Sequence, residues 1–175
     1  MNEELESTAP EEVAPAAPEE AREPADPDEV ASVAGEFLTG LVAAMGLQAE
    51  VSTSVEEDSV VCEVAGPELG VLIGRRGQTL DALQEVTRTA VQRRLRARAR
   101  LVVDVEGYRS RRKASLIEYA QSIAERAKER GTEIELEPMT AYERKIVHDA
   151  VGEVEGASSF SEGEEPQRKV VIRAE

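Results

Sequence analysis

Apolar positions along the chain change spacing several times, and each change marks an element. Val30, Val33, Phe37, Leu41, Val42 and Met45 recur at threes and fours, which predicts a helix from Asp28 with Gly46 as its C-cap. Ala49, Val51, Thr53 and Val55 then alternate, as do Val60, Cys62 and Val64 beyond Glu56-Glu57-Asp58-Ser59, which predicts an antiparallel hairpin. Pro67 to Ile73 reads as a short helix opening on a proline suited to a first turn. Ile73-Gly74-Arg75-Arg76-Gly77 follows as a tight turn, after which Leu80, Leu83, Thr87, Ala90, Val91 and Leu95 restore helical spacing. Leu101, Val103 and Val105 alternate as a third strand. Residues 28–107 thus predict an α+β unit in the order α-β-β-α-α-β, its helices on one face of a three-stranded sheet.

Gly107 breaks the pattern. Leu116, Ile117, Ala120, Ile123, Ala124 and Ala127 predict a long linking helix over 108–131, stopped at Gly131. Residues 132–175 read as a second small α+β unit. Ile134 and Leu136 mark a short strand ended by Pro138, and Thr140 to Glu143 matches a capping box. The helix over 141–151 is expected to bury Tyr142, Ile146, Val147 and Ala150, with strands over 154–161 and 168–173 around a turn at 162–164. Residues 1–27 are Glu, Ala and Pro with almost nothing large and apolar, so a disordered acidic tail is expected. Such a tail serves as a solubilising extension or as a competitor for a basic surface elsewhere in the chain.

Composition adds a compartment. At 41% hydrophobic the chain has enough for a core, yet no apolar run approaches the ~18 residues of a membrane helix. The N-terminus is acidic, without the basic and apolar regions of a signal peptide. The one cysteine, Cys62, excludes an intramolecular disulfide. A cytoplasmic protein with no membrane insertion is the expectation.

Charge distribution matters more than the net value of −15. Residues 75–130 hold fifteen Lys/Arg against seven Asp/Glu, whereas every other stretch is acidic. A polyanion responds to that local field. The positive segment opens at Gly74-Arg75-Arg76-Gly77, where two glycines free the backbone for a sharp turn and close approach. Two arginines there face solvent or an anion. Arg88, Arg93, Arg94, Arg96, Arg98 and Arg100 extend the patch. Arg109, Arg111, Arg112 and Lys113 oppose the macrodipole at the start of the long helix, so an external anion is expected there.

Arg144 and His148 lie one helical turn apart, away from Ile146 and Ala150. As an exposed pair they could meet a phosphate; alternatively His148 bonds within the small fold. Lys145, Arg168 and Lys169 are candidate secondary contacts. Enzyme chemistry finds no constellation. Cys62 alternates with Val60 and Val64 as a core residue, and one His with one Cys makes no ordinary zinc site. A P-loop is absent, and Gly70, Gly74 and Gly77 miss the dinucleotide spacing. Neither metal nor cofactor is expected. Two Phe and three Tyr are too few for a broad stacking platform, so modest sequence selectivity is expected.

The order α-β-β-α-α-β with Ile73-Gly74-Arg75-Arg76-Gly77 between its helices resembles a KH domain of type II topology. Arg144 and His148, spaced by three residues in a capped helix, resemble the R-x-x-x-H (R-three-H) domain. In this order, over roughly residues 30–175, the two resemble the Jag, or SpoIIIJ-associated, family. That resemblance implies a groove for about four unstacked nucleotides, walled by Val71 and Ile73, with loop N–H groups, Arg75 and Arg76 on phosphates. It implies single-stranded RNA binding in post-transcriptional regulation or RNA chaperoning, with links to cell elongation, envelope synthesis and cell shape. It further implies a KH-only partner protein and genomic association with the membrane insertase; a homodimer is the other pairing open to the chain. Many members carry a further folded N-terminal domain, whose functions are not expected here. The alternatives are an adaptor that dimerises through the KH fold, and single-stranded DNA binding through the C-terminal unit.

Overall fold

Asp26 and Pro27 start the first helix. In the computed structural model, which describes residues 23–175, the Asp26 carboxylate accepts from the Asp28 N–H at 2.8 Å and Pro27 takes the first helical position. Helix α1 (Pro27–Ala44) is followed by β1 (Glu50–Glu56), β2 (Ser59–Ala65), α2 (Gly70–Ile73), a 3₁₀ turn (Arg75–Gly77), α3 (Gln78–Leu95) and β3 (Leu101–Val105). This is the expected α-β-β-α-α-β order. The acidic tail expected over 1–27 lies outside the described residues up to residue 22. Its last residues are tied down: Ala25 N–H donates to Arg98 O at 2.9 Å, and Arg98 N–H to Glu23 O at 2.8 Å.

β1 and β2 pair antiparallel, and β3 joins β2 in parallel, giving the order β1-β2-β3. The parallel register sets Val60 beside Leu101, Cys62 beside Val103 and Val64 beside Val105, so the two strands' apolar faces coincide and all six side chains are buried. Each fully buried valine is worth about 1.5–3 kcal/mol. Burial also pushes the Cys62 thiol up to about 11, which makes it an inert core residue.

Details differ from the periodic reading in three places. The α1 stripe is Val30, Ala34, Leu38 and Val42, a strict step of four, which leaves Met45 exposed and Phe37 at the flank. β1 is an edge strand whose residues are exposed apart from half-buried Val51. Pro67 lies in a turn and not in a helix, because Glu68 adopts a left-handed φ of +57° and helical geometry begins at Gly70.

Helix α4 (Tyr108–Arg130), β4 (Ile134–Glu135), α5 (Ala141–Gly152), β5 (Ala157–Glu162) and β6 (Lys169–Ala174) complete the chain. The second sheet is antiparallel throughout, in the order β4-β6-β5. α4 does more than link: Leu116, Ala120, Ile123, Ala124 and Ala127 share one core with Ile146, Val147, Val170 and Ile172. The capping box at Thr140 and Glu143 is present. Tyr142, expected in that core, is 66% exposed. At 100° per residue the buried stripe of α5 centres on Val147 and takes in Glu143, Arg144, Ala150 and Val151, which turns Tyr142 outward.

Candidate nucleic-acid interface

Buried Leu72 anchors α2, and Gly74 N–H closes it on Gly70 O at 2.9 Å. Gly74 then takes φ +69°, ψ −170°, a region open essentially to glycine, and a Cβ there would meet the Thr79 hydroxyl. The chain folds through one 3₁₀ turn with Arg76 at φ +53° and leaves at Gly77 with φ +82°. Sequence reasoning reserved the glycines' missing Cβ for a foreign backbone, but this chain itself fills the space. At Gly77 a Cβ would lie 2.8 Å from the Tyr108 ring of α4. Gly77→Ala is therefore expected to cost about 1–3 kcal/mol, from left-handed strain plus displacement of Tyr108. A lowered thermal midpoint checks it.

The two loop arginines differ. Arg75 is exposed and has no ion pair or side-chain hydrogen bond among the described residues. Arg76 turns to the C-terminal unit, where its Nη1 donates to Pro138 O at 2.7 Å and its guanidinium pairs with Glu137. Val71 is 56% exposed and Ile73 half-buried, so both stand beside the loop as the KH resemblance implies.

The basic segment divides similarly. Arg93 and Lys113 are exposed without a side-chain partner among the described residues. Arg88 pairs with Glu85 at 2.6 Å, Arg94 with Glu36 at 2.8 Å, and Arg100 lies 4.0 Å from Asp58. At the start of α4 three of the four cations already have partners inside the fold. Arg109 donates to Val103 O and Gln84 and pairs with Asp81, while Arg111 donates to Glu106 O. Arg112 pairs at 2.8 Å with Glu143, the same carboxylate that closes the α5 capping box. Internal carboxylates and carbonyls offset the unfavourable macrodipole there.

Arg144 and His148 are not an exposed pair. Arg144 sits on the buried stripe of α5, only 8% exposed, donating to Met139 O at 2.9 Å and pairing with Glu165 at 2.8 Å. His148 is half-buried with Nδ1 and Nε2 each 2.8 Å from a hydroxyl, those of Ser159 and Ser161 on β5. Both bind α5 to its own unit, the role left open for His148 alone. Lys145 is exposed and lies 3.3 Å from Asp149. Lys169 pairs with Glu135 across the sheet, and that hydrogen bond raises its pKa.

Burial pushes the His148 pKa below its ordinary 6.5, and the Arg144 charge adds to the effect, with Asp149 opposing and Arg168 assisting more weakly. The unfolded chain therefore takes up a proton more readily than the folded one as pH falls. The stability owed to the neutral ring is complete above 6.5 and is lost as pH drops through the lowered folded value. Melting curves between about pH 7.5 and pH 5 should show a smaller acid-induced drop in His148→Gln than in the wild type.

Residues 32–103 match the KhpA/KhpB KH domain family, and residues 114–174, beginning within α4, match the R-three-H domain family. Both matched families are non-enzymatic. The chain is similar to the RNA-binding protein KhpB of Clostridium symbiosum, 38% identical over 139 residues, covering 78% of this chain and 63% of that protein. Similarity to the RNA-binding protein KhpB of Bacillus subtilis (strain 168) is 33% over 138 residues, covering 78% of this chain and 66% of that protein. Against the RNA-binding protein KhpB of Streptococcus pneumoniae serotype 2 it is 31% over 150 residues, 86% of this chain and 46% of that protein. The chain thus spans from under half to about two thirds of the length of these curated relatives.

Proposed function

The chain belongs to the KhpB/Jag family, which joins a KH domain to an R-three-H domain, and from that membership we propose that it binds single-stranded RNA through the Gly74–Gly77 loop. The observation that carries this reading is exposed Arg75 at the tip of a glycine-framed turn, with Val71 and Ile73 beside it and an uncommitted Arg93 on the following helix. A turn of this kind clamps a phosphodiester backbone while unstacked bases lie on the apolar wall. Post-transcriptional regulation or RNA chaperoning is the role that fits such modest selectivity. Action in the cytoplasm is the reading of the composition and the single cysteine, while pairing with a KH-only protein and the link to cell elongation and shape come from the family resemblance alone. Among the described residues no helix is long and apolar enough to cross a membrane.

The test is binding of labelled single-stranded RNA and DNA across a salt series, with the wild type beside Arg75→Asp/Arg76→Asp. Affinity that falls with salt and is lost in the variant supports the reading; unchanged affinity in the variant overturns it.

A further inference from the structure

With Arg144 and His148 committed to the fold, two exposed lysines of the C-terminal half, Lys113 and Lys145, lie along a groove between α4 and α5. The two helices run side by side in the same direction. Arg112 pairs with Glu143 near their starts, and Gln121 Nε2 donates to Glu153 at 3.3 Å further along both. Lys113 and Ile117 of α4, with Tyr142, Lys145, Ile146 and Asp149 of α5, line a cavity of about 290 Å³.

Its character changes along its length. Lys113 and Lys145 stand toward the starts of the helices, while Asp149 and Glu153 occupy the other end. Tyr142 is 66% exposed, more than any other large apolar or aromatic side chain among the described residues. Ile117 and Ile146 supply an apolar floor. Among the described residues the competing contact at the basic end is Lys145 with Asp149, an exposed one-turn pair of the weak kind that a phosphate can replace. The basic end also adjoins the loop. Arg76 of the loop donates to Pro138 O at 2.7 Å, and Tyr142 of the groove follows four residues later at the start of α5.

We propose that this groove is a second nucleotide subsite for single-stranded RNA, in which a base stacks on Tyr142 above Ile117 and Ile146 and its phosphate lies between Lys113 and Lys145. The proposal rests on the RNA-binding reading above and extends the strand's path beyond the nucleotides held at the loop. Charge complementarity sets the direction. The strand enters from the basic end, on the side of the Arg76–Pro138 contact, and the carboxylates of Asp149 and Glu153 exclude a further phosphate while accepting hydrogen bonds from base amino groups. Tyrosine suits the position because every base offers a π-face, so stacking adds affinity without strict sequence choice.

The experiment measures binding of the full chain to single-stranded RNAs of about four and about twelve nucleotides, with melting curves for each variant. Tyr142→Ala is expected to weaken the longer RNA about tenfold, in the range typical of one lost base stack. It should leave the shorter RNA and the melting midpoint unchanged, and Tyr142→Phe should restore affinity. Lys113→Glu with Lys145→Glu should reduce the salt slope for the longer RNA by about 0.7, the share of one phosphate. If the wild type binds the longer RNA and Tyr142→Ala binds it equally well, the subsite falls and the loop reading stands. If the wild type binds neither RNA at low salt, both fall.

Discussion

A chain carrying Arg75→Asp and Arg76→Asp is expected to bind single-stranded RNA about a hundredfold more weakly than the wild type at moderate salt. A hydrogen bond to a charged group is worth about 1.5–3 kcal/mol, so losing two costs about 3–6 kcal/mol, or two to four powers of ten. The lower end applies because Arg76 is already engaged by Pro138 O and Glu137, and an RNA phosphate must displace that carboxylate before it gains the guanidinium. Arg75, with no such competitor among the described residues, should supply most of the loss when changed alone. Removing two phosphate contacts should also flatten the salt dependence by about 1.4 in log–log slope. Arg76→Asp has a further effect, since it sets two carboxylates together at the contact between the loop and residues 137–138. A small drop in melting temperature from Arg76→Asp, with none from Arg75→Asp, separates that contact from RNA affinity.

Element order was legible because it rests on local periodicity. The phases of Val60-Cys62-Val64 and Leu101-Val103-Val105 predicted the faces that the parallel register brings together. Thr140 and Glu143 announced the start of α5 through a capping box that needs only four residues. What escaped the sequence depends on partners far along the chain. Gly77 looks the same whether its open face admits a nucleotide or Tyr108, thirty-one residues later. Cations at the start of α4 suggested an external anion, since nothing local revealed that Glu143 would reach Arg112. For Arg144 a signal was present: it lies three residues before Val147, hence on the core side, whereas Tyr142 lies five before it and points away. Centring the stripe on Ile146, midway between Tyr142 and Ala150, and not on Val147 exchanged the roles of these two residues. The outward tyrosine that results is the ring the groove offers to a base.

Arg144→Ala is accordingly expected to act on stability. The guanidinium satisfies Met139 O at 2.9 Å, just before the capped start of α5, and holds Glu165 at 2.8 Å in the loop between β5 and β6. Truncation leaves a carbonyl without its donor, unties that loop and opens space beside Val147. Glu165 is itself 57% exposed and regains water, so the penalty sits below the 3–5 kcal/mol typical of breaking a fully buried pair. A loss of about 2 kcal/mol follows, which for the unit over residues 108–175 lowers the melting midpoint by about 8–16 °C. Arg144→Lys should fall between, because one ammonium on a shorter stem cannot serve both acceptors in the arginine's geometry. Well below the transition, RNA affinity of Arg144→Ala should stay within about twofold of wild type, since an exposed phosphate contact is not among this side chain's bonds. A large loss of affinity at unchanged melting temperature would instead return Arg144 to the RNA-binding surface. The expected pattern is the converse of that for Tyr142→Ala, and measuring both variants assigns one side chain of α5 to the fold and the other to the ligand.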